Sequence, residues 1–164
     1  MIALIFLFFL TNIEILDRMR YPPYICVMSK IIAIDFGLKR TGLAITDELR
    51  IIASPLTALD SANLMDYLTK LFTKESVETI VLGEPKRLDN SDTHISENVR
   101  LLKVALENQF PEKKIVLHDE RFTSIIAARS MLDAGMNKKK RQEKGNLDMI
   151  SATVILQSYM DSIT

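Results

Sequence analysis

From Ile31 onward the chain alternates between short apolar runs and amphipathic stretches. Ile31 to Ile34 (IIAI) is a continuous run of apolar, mostly β-favouring residues, the pattern of a strand buried on both faces. Gly37 and Lys39-Arg40 mark a turn, Thr41 to Thr46 (TGLAIT) reads as a second strand, and Ile51 to Ala53 as a short third. Three strands joined by short turns predict an antiparallel meander. The period then changes: Leu64, Tyr67, Leu68 and Leu71 fall at i, i+3, i+4, i+7, which predicts an amphipathic helix. Thr79 to Leu82 is a fourth strand ended by Gly83 and Pro85. Ile95, Val99, Leu102, Leu106 and Phe110 mark a second helix stopped by Pro111. Ile115 to Leu117 is a fifth strand, Phe122 to Ala134 a third helix closed by Gly135, and Leu147 to Met160 a fourth.

The order βββ-α-β-α-β-α-α predicts an α/β domain. Its sheet is mixed and five-stranded, an antiparallel meander plus two parallel strands, with helices on both faces. The ribonuclease-H-like fold has this order. The helices carry single apolar stripes without a heptad seam, so the sequence leaves the oligomeric state open.

The first 27 residues do not fit that pattern. Ile2 to Leu10 (IALIFLFFL) is apolar throughout, but nine residues fall short of the about 20 that span a bilayer. No positive charge precedes the run and no small-residue cleavage site follows it, so neither a secretory signal nor a membrane anchor is expected. The reading is that Met28 is the working start, with 1–27 an extension outside the domain and 28–164 a single domain of a cytoplasmic protein.

Composition narrows the chemistry. The 164 residues are 48% hydrophobic and carry 21 Lys+Arg against 21 Asp+Glu, which argues against disorder and against a polycation that coats nucleic acid. Contact with a polyanion must then come from local patches. One cysteine, Cys26, excludes an internal disulfide and a Cys-based zinc site; with only His94 and His118 besides, any metal must be held by carboxylates.

Three acids qualify. Asp35 follows the IIAI strand directly, at the carboxyl end where open sheets place ligands. Glu120 repeats the arrangement after KIVLH, within Asp119-Glu120-Arg121. Asp148 lies in a helix that is apolar on most sides, and a buried Asp needs a partner or a metal. Ser151 and Ala152 are small and let that helix approach the sheet closely. Two divalent ions about 4 Å apart can activate a water and stabilise the leaving oxygen of a phosphodiester. Hard Mg²⁺ or Mn²⁺ would take such carboxylates as ligands.

The segments IIAIDFGLKRTGLAITD, VLGEPKRLDN, IVLHDERFTS and KGNLDMISATVILQSYM resemble, in this order, the YqgF family, from Ser29 to Tyr159. Its members are described as Holliday-junction resolvases or as nucleases for the 5′ end of pre-16S ribosomal RNA. The resemblance implies that Asp35, Glu120 and Asp148 are catalytic carboxylates and metal ligands. One departure lies after the fourth strand, where the family often has Gly-x-Pro and then Asp-Gly. Here stand Gly83-Glu84-Pro85 and Asp89-Asn90, and Asn tolerates the turn conformation. Glu84 is expected to face solvent beside Lys86, with a fourth metal ligand as the alternative.

Substrate contacts are expected from Lys39, Arg40, Arg121 and Lys144, each near an acid, and from the run Lys138-Lys139-Lys140-Arg141, which suits a phosphate backbone. Such contacts do not distinguish RNA from DNA. Gly145 is expected to hinge the basic loop, and His118 to be a packed or surface residue rather than a base. The leading expectation is a metal-dependent nuclease acting on nucleic acid, precursor ribosomal RNA preferred and four-way DNA next. The competing class is a non-catalytic RNA-binding module.

Overall fold

A computed structural model of the chain describes residues 29–85, 95–119, 126–127, 131, 135 and 145–163. Strand β1 (Lys30–Phe36) lies at the centre of a five-stranded sheet of order β3-β2-β1-β4-β5. Strands β2 (Arg40–Thr46) and β3 (Ala53–Asp60) continue antiparallel from it. On its other side β4 (Val77–Glu84) and β5 (Lys114–Asp119) run parallel. This is the ribonuclease-H-like arrangement that the order of elements predicts.

The period of two along β1 sorts its side chains between two cores. Ile32 and Ile34 join Leu43, Ile80 and Leu82 on one face, under helices α1 (Leu64–Phe72) and α2 (Ser96–Gln109), which contribute Leu64, Leu68, Val99 and Leu106. Ile31 and Ala33 join Ala44 and Val81 on the other, under Ala152, Ile155, Leu156 and Tyr159 of helix α3 (Asn146–Ile163). Both faces of β1 are thus covered, which is why IIAI can be apolar without alternation. Residues 126, 127 and 131 are helical, within the span expected for a helix at 122–134; the rest of that span lies outside the described residues. Among the described residues no helix is long and apolar enough to cross a membrane.

The third strand corrects the expectation. Ile51 and Ile52 are exposed in the β2–β3 turn, and pairing begins only at Ala53. The turn is held by Asp47, whose Oδ1 accepts the N–H groups of Ile51 and Ile52, each at 2.8 Å. Pro55 argues against a strand through this region, yet β3 is an edge strand pairing only with β2. The register slips there, from Leu43 opposite Thr57 to Ala44 opposite Pro55. Edges and bulges are where a residue without an N–H is tolerated.

Candidate active site

Asp35 has the parity of Ile31 and Ala33, so its side chain stands on the α3 face near the carboxyl end of β1. Its Cα partner in β2 is Gly42. Above Gly42 runs the first turn of α3: a Cβ at position 42 would lie 2.0 Å from the carbonyl oxygen of Asp148 and 2.9 Å from the Met149 nitrogen. Only a residue without a side chain lets the helix backbone rest on the sheet here, and that contact brings Asp148 beside Asp35. Ser151 and Ala152 are buried in the following turn, as their size suggests. A glycine inside a strand is itself a sign of close backbone approach, and it is the signal in TGLAIT from which this contact could have been read.

The electrostatics follow from the approach. Burial pushes the Asp35 carboxyl up to about 6, and the charge of Asp148 adds to the effect. No group among the described residues hydrogen-bonds to the Asp35 carboxylate. Asp148 has a partner: Arg40 Nε donates to its Oδ2 at 2.8 Å. Arg40 opens β2 with the parity of Gly42 and Ala44, which places it on the same face as both acids.

Lys39 and Arg40 belong to the tight turn joining β1 to β2, closed by a 3.0 Å bond from the Gly37 N–H to the Arg40 carbonyl. Ser61, just beyond β3, clamps this turn. Its hydroxyl donates to the Gly37 carbonyl at 2.5 Å, its N–H donates to the Lys39 carbonyl at 3.2 Å, and its Oγ lies 2.8 Å from the buried Thr41 hydroxyl. Nothing in the sequence spacing points to Ser61. Gly145, expected as a hinge, is buried at φ 95°, where a Cβ would come within 2.8 Å of the Ala58 methyl. Its carbonyl accepts the Met149 N–H that begins α3.

Glu84 does not face solvent. It is buried with the parity of Ile80 and Leu82, on the side opposite Asp35, and its Oε1 pairs with Arg100 Nη2 of α2 at 3.2 Å. The expectation failed because the neighbour that matters comes from another element, not from Lys86. His118 is packed as expected: Nε2 lies 2.9 Å from the Ser158 hydroxyl and the ring stands edge-on to Tyr159. Burial lowers its pKa, against the opposing charge of Asp119.

Of the residues singled out in the sequence, Asp35, Arg40 and Asp148 therefore converge, with Lys39 on the adjoining turn. Glu120, Arg121, Lys138, Lys139, Lys140, Arg141, Lys144 and His94 lie outside the described residues; β5 ends at Asp119, immediately before Glu120 in the chain. Among the described residues no three acids, histidines or cysteines form a metal-binding group. The two acids that do converge offer only hard oxygen donors. Burial, with the other's charge added, holds one of them above its usual ionisation range, and the pair is a donor set that suits a divalent cation such as Mg²⁺.

Residues 29–162 match the family model described as RuvX, Holliday junction resolvase. The chain belongs to this family. Two relatives, each described as "Putative pre-16S rRNA nuclease", come from Flavobacterium johnsoniae and Phocaeicola vulgatus. The first is 45% identical over 82% of this chain and 98% of its own length, the second 46% over 82% and 97%. Among solved structures, Thermus thermophilus RuvC in complex with a Holliday junction substrate is similar at a TM-score of 0.49 and 11% identity, over 82% of this chain and 96% of that one. So distant a likeness adds nothing to the family assignment, which rests on the sequence match.

Proposed function

We propose that residues 28–164 work as a metal-dependent nuclease that hydrolyses phosphodiester bonds in the precursor of 16S ribosomal RNA. The observation that carries this is the convergence of Asp35 and Asp148 on one face at the end of β1, with no hydrogen bond to the Asp35 carboxylate among the described residues to spare it their mutual repulsion. The substrate class follows from relatives 45% identical over nearly their whole length. Asp35, Asp148 and Glu120 would hold Mg²⁺ or Mn²⁺, which when bound activates a water and stabilises the departing oxygen.

The chain's own residues do the rest. Asp35 and Asp148 supply the negative charge that draws the cation to the end of β1. Gly42 fixes how near Asp148 comes. Lys39, on a turn whose backbone Ser61 holds at two carbonyls, neutralises the phosphate undergoing attack. No side chain in the site serves as nucleophile; water does. Arg121, Lys144 and the run Lys138 to Arg141 position the strand through its phosphates, and such contacts fix register without reading sequence.

The family's description as a Holliday junction resolvase favours four-way DNA as the second substrate. One experiment separates the readings: wild type and Asp35→Asn are incubated with end-labelled RNA carrying the 16S leader and with a four-way DNA junction, each with Mg²⁺ or EDTA. The proposal expects RNA cleavage that needs both Asp35 and metal. Cleavage of the junction alone selects the second substrate. Tight binding without cleavage, equal in the two proteins, makes the chain a binding module and leaves the acids without a catalytic role.

A further inference from the structure

The two acids of the site are unequally served. Asp148 has a cation on its Oδ2, whereas the Asp35 carboxylate has no hydrogen bond among the described residues. That cation is held loosely. Arg40 meets the carboxylate through Nε alone, not through the two-pronged fork that makes Arg–carboxylate pairs strong. Its side chain is 44% exposed, so it can turn into solvent at little cost. It also sits at the end of the turn that carries Lys39, facing the same side of the sheet as both acids.

We propose that Arg40 is a resident counter-ion, holding the place at Asp148 that a divalent cation takes and giving it up when that cation arrives. The inference rests on the reading that Asp35 and Asp148 hold the metal. While the site lacks a divalent ion, Arg40 offsets one of two crowded negative charges. A divalent ion drawn to both acids competes for Oδ2 and adds two positive charges within a few ångströms of the guanidinium. Arg40 then turns outward, where its freed Nε and two Nη groups face the phosphate backbone. The protein thereby exchanges an internal ion pair for one with substrate. The cost is a weaker hold on metal before substrate is present.

The test is a titration of the full-length protein with Mn²⁺ at neutral pH, without nucleic acid, following free Mn²⁺ by electron paramagnetic resonance. Arg40→Gln is expected to bind Mn²⁺ roughly threefold to tenfold more tightly than wild type. Unchanged or weaker binding would overturn the proposal, since Arg40 would then be orienting Asp148 for the metal. Lys39→Gln removes the same charge from the same turn without touching Asp148. Equal tightening there would reduce the effect to the general field of the turn and also overturn the proposal.

Asp35→Asn separates this inference from the one beneath it. If that variant binds Mn²⁺ as wild type does, the metal reading itself fails, whatever Arg40 does. A second readout needs no substitution: saturating Mg²⁺ should shift the Arg40 Nε–Hε resonance to the position of a solvent-exposed guanidinium. A resonance that stays in place at saturation refutes the exchange.

Discussion

Gly42 and Asp148 are 106 positions apart in the chain, yet the backbone of the second rests directly on the first, with no room for a methyl group between them. Asp35 is the residue that Gly42 pairs with across the sheet. The spacing of the two acids is therefore set by an absent side chain on the strand between them.

Gly42→Ala tests that relationship. The added carbon would meet a helix backbone at 2.0 Å, which cannot give way as a side-chain tip can, so the first turn of α3 must lift. Overpacking of this kind costs about 1–3 kcal/mol, and a domain of this size should lose about 2–4 °C in melting temperature for each. Cleavage should fall further than the lost stability explains, because Asp148 moves with the turn. A thermal melt paired with the cleavage assay checks both.

The raised pKa of Asp35 makes a prediction with a definite sign. Its folded value of about 6 exceeds the unfolded value, so between pH 4 and pH 6 the native state holds the proton more tightly. Its contribution to stability is thus present at low pH, is lost as pH rises through about 6, and stays a constant penalty above. In EDTA, Asp35→Asn should be more stable than wild type at pH 7.5 by about 1–3 kcal/mol, and the two should converge near pH 4. Melting curves across that range, with and without metal, decide it; Mg²⁺ should restore wild-type stability and leave the variant unmoved.

Glu84 offers a negative control of the same residue class. It lies on the opposite side of the sheet, paired with Arg100, so Glu84→Gln should leave Mn²⁺ affinity unchanged while Asp148→Asn abolishes it. Arg100→Ala should cost about 1–3 kcal/mol by stripping a partner from a buried carboxylate. A loss of metal affinity in Glu84→Gln would return this acid to the list of ligands.

Neutralising Lys138, Lys139, Lys140 and Arg141 together should weaken RNA binding at every sequence tested. If all four reach phosphates, the slope of log affinity against log salt should become shallower by about 3. An unchanged slope would make the run a bystander.

What the sequence made legible follows the range of the interactions. IIAI betrays a doubly buried strand because burial on two faces leaves a local mark, and Asp35 is conspicuous as the first acid beyond it. Helix α1 shows in the stripe from Leu64 to Leu71 for the same reason. The third strand was expected at Ile51 to Ala53, too early in the chain, because nothing local announces an edge strand that continues through Pro55. Glu84 was misjudged from Lys86, although its partner, Arg100, comes from a helix beyond Pro85. The pairing of Arg40 with Asp148, like the seat of α3 on Gly42, exists only once the sheet and the last helix have met.

The Ser61 clamp has a consequence for the order in which this molecule becomes competent. The turn bearing Lys39 lies between two neighbouring strands, yet two of its carbonyls, and the Thr41 hydroxyl that follows it in β2, bond to a residue past the end of the edge strand. Edge strands open most readily in the local fluctuations that amide hydrogen exchange detects. Whenever β3 frays at its far end, the turn loses its anchor while the cores stay closed. The amides of Gly37 and Ser61 should then exchange together, faster than those of β1. A peripheral strand would in this way govern how long the site stays assembled.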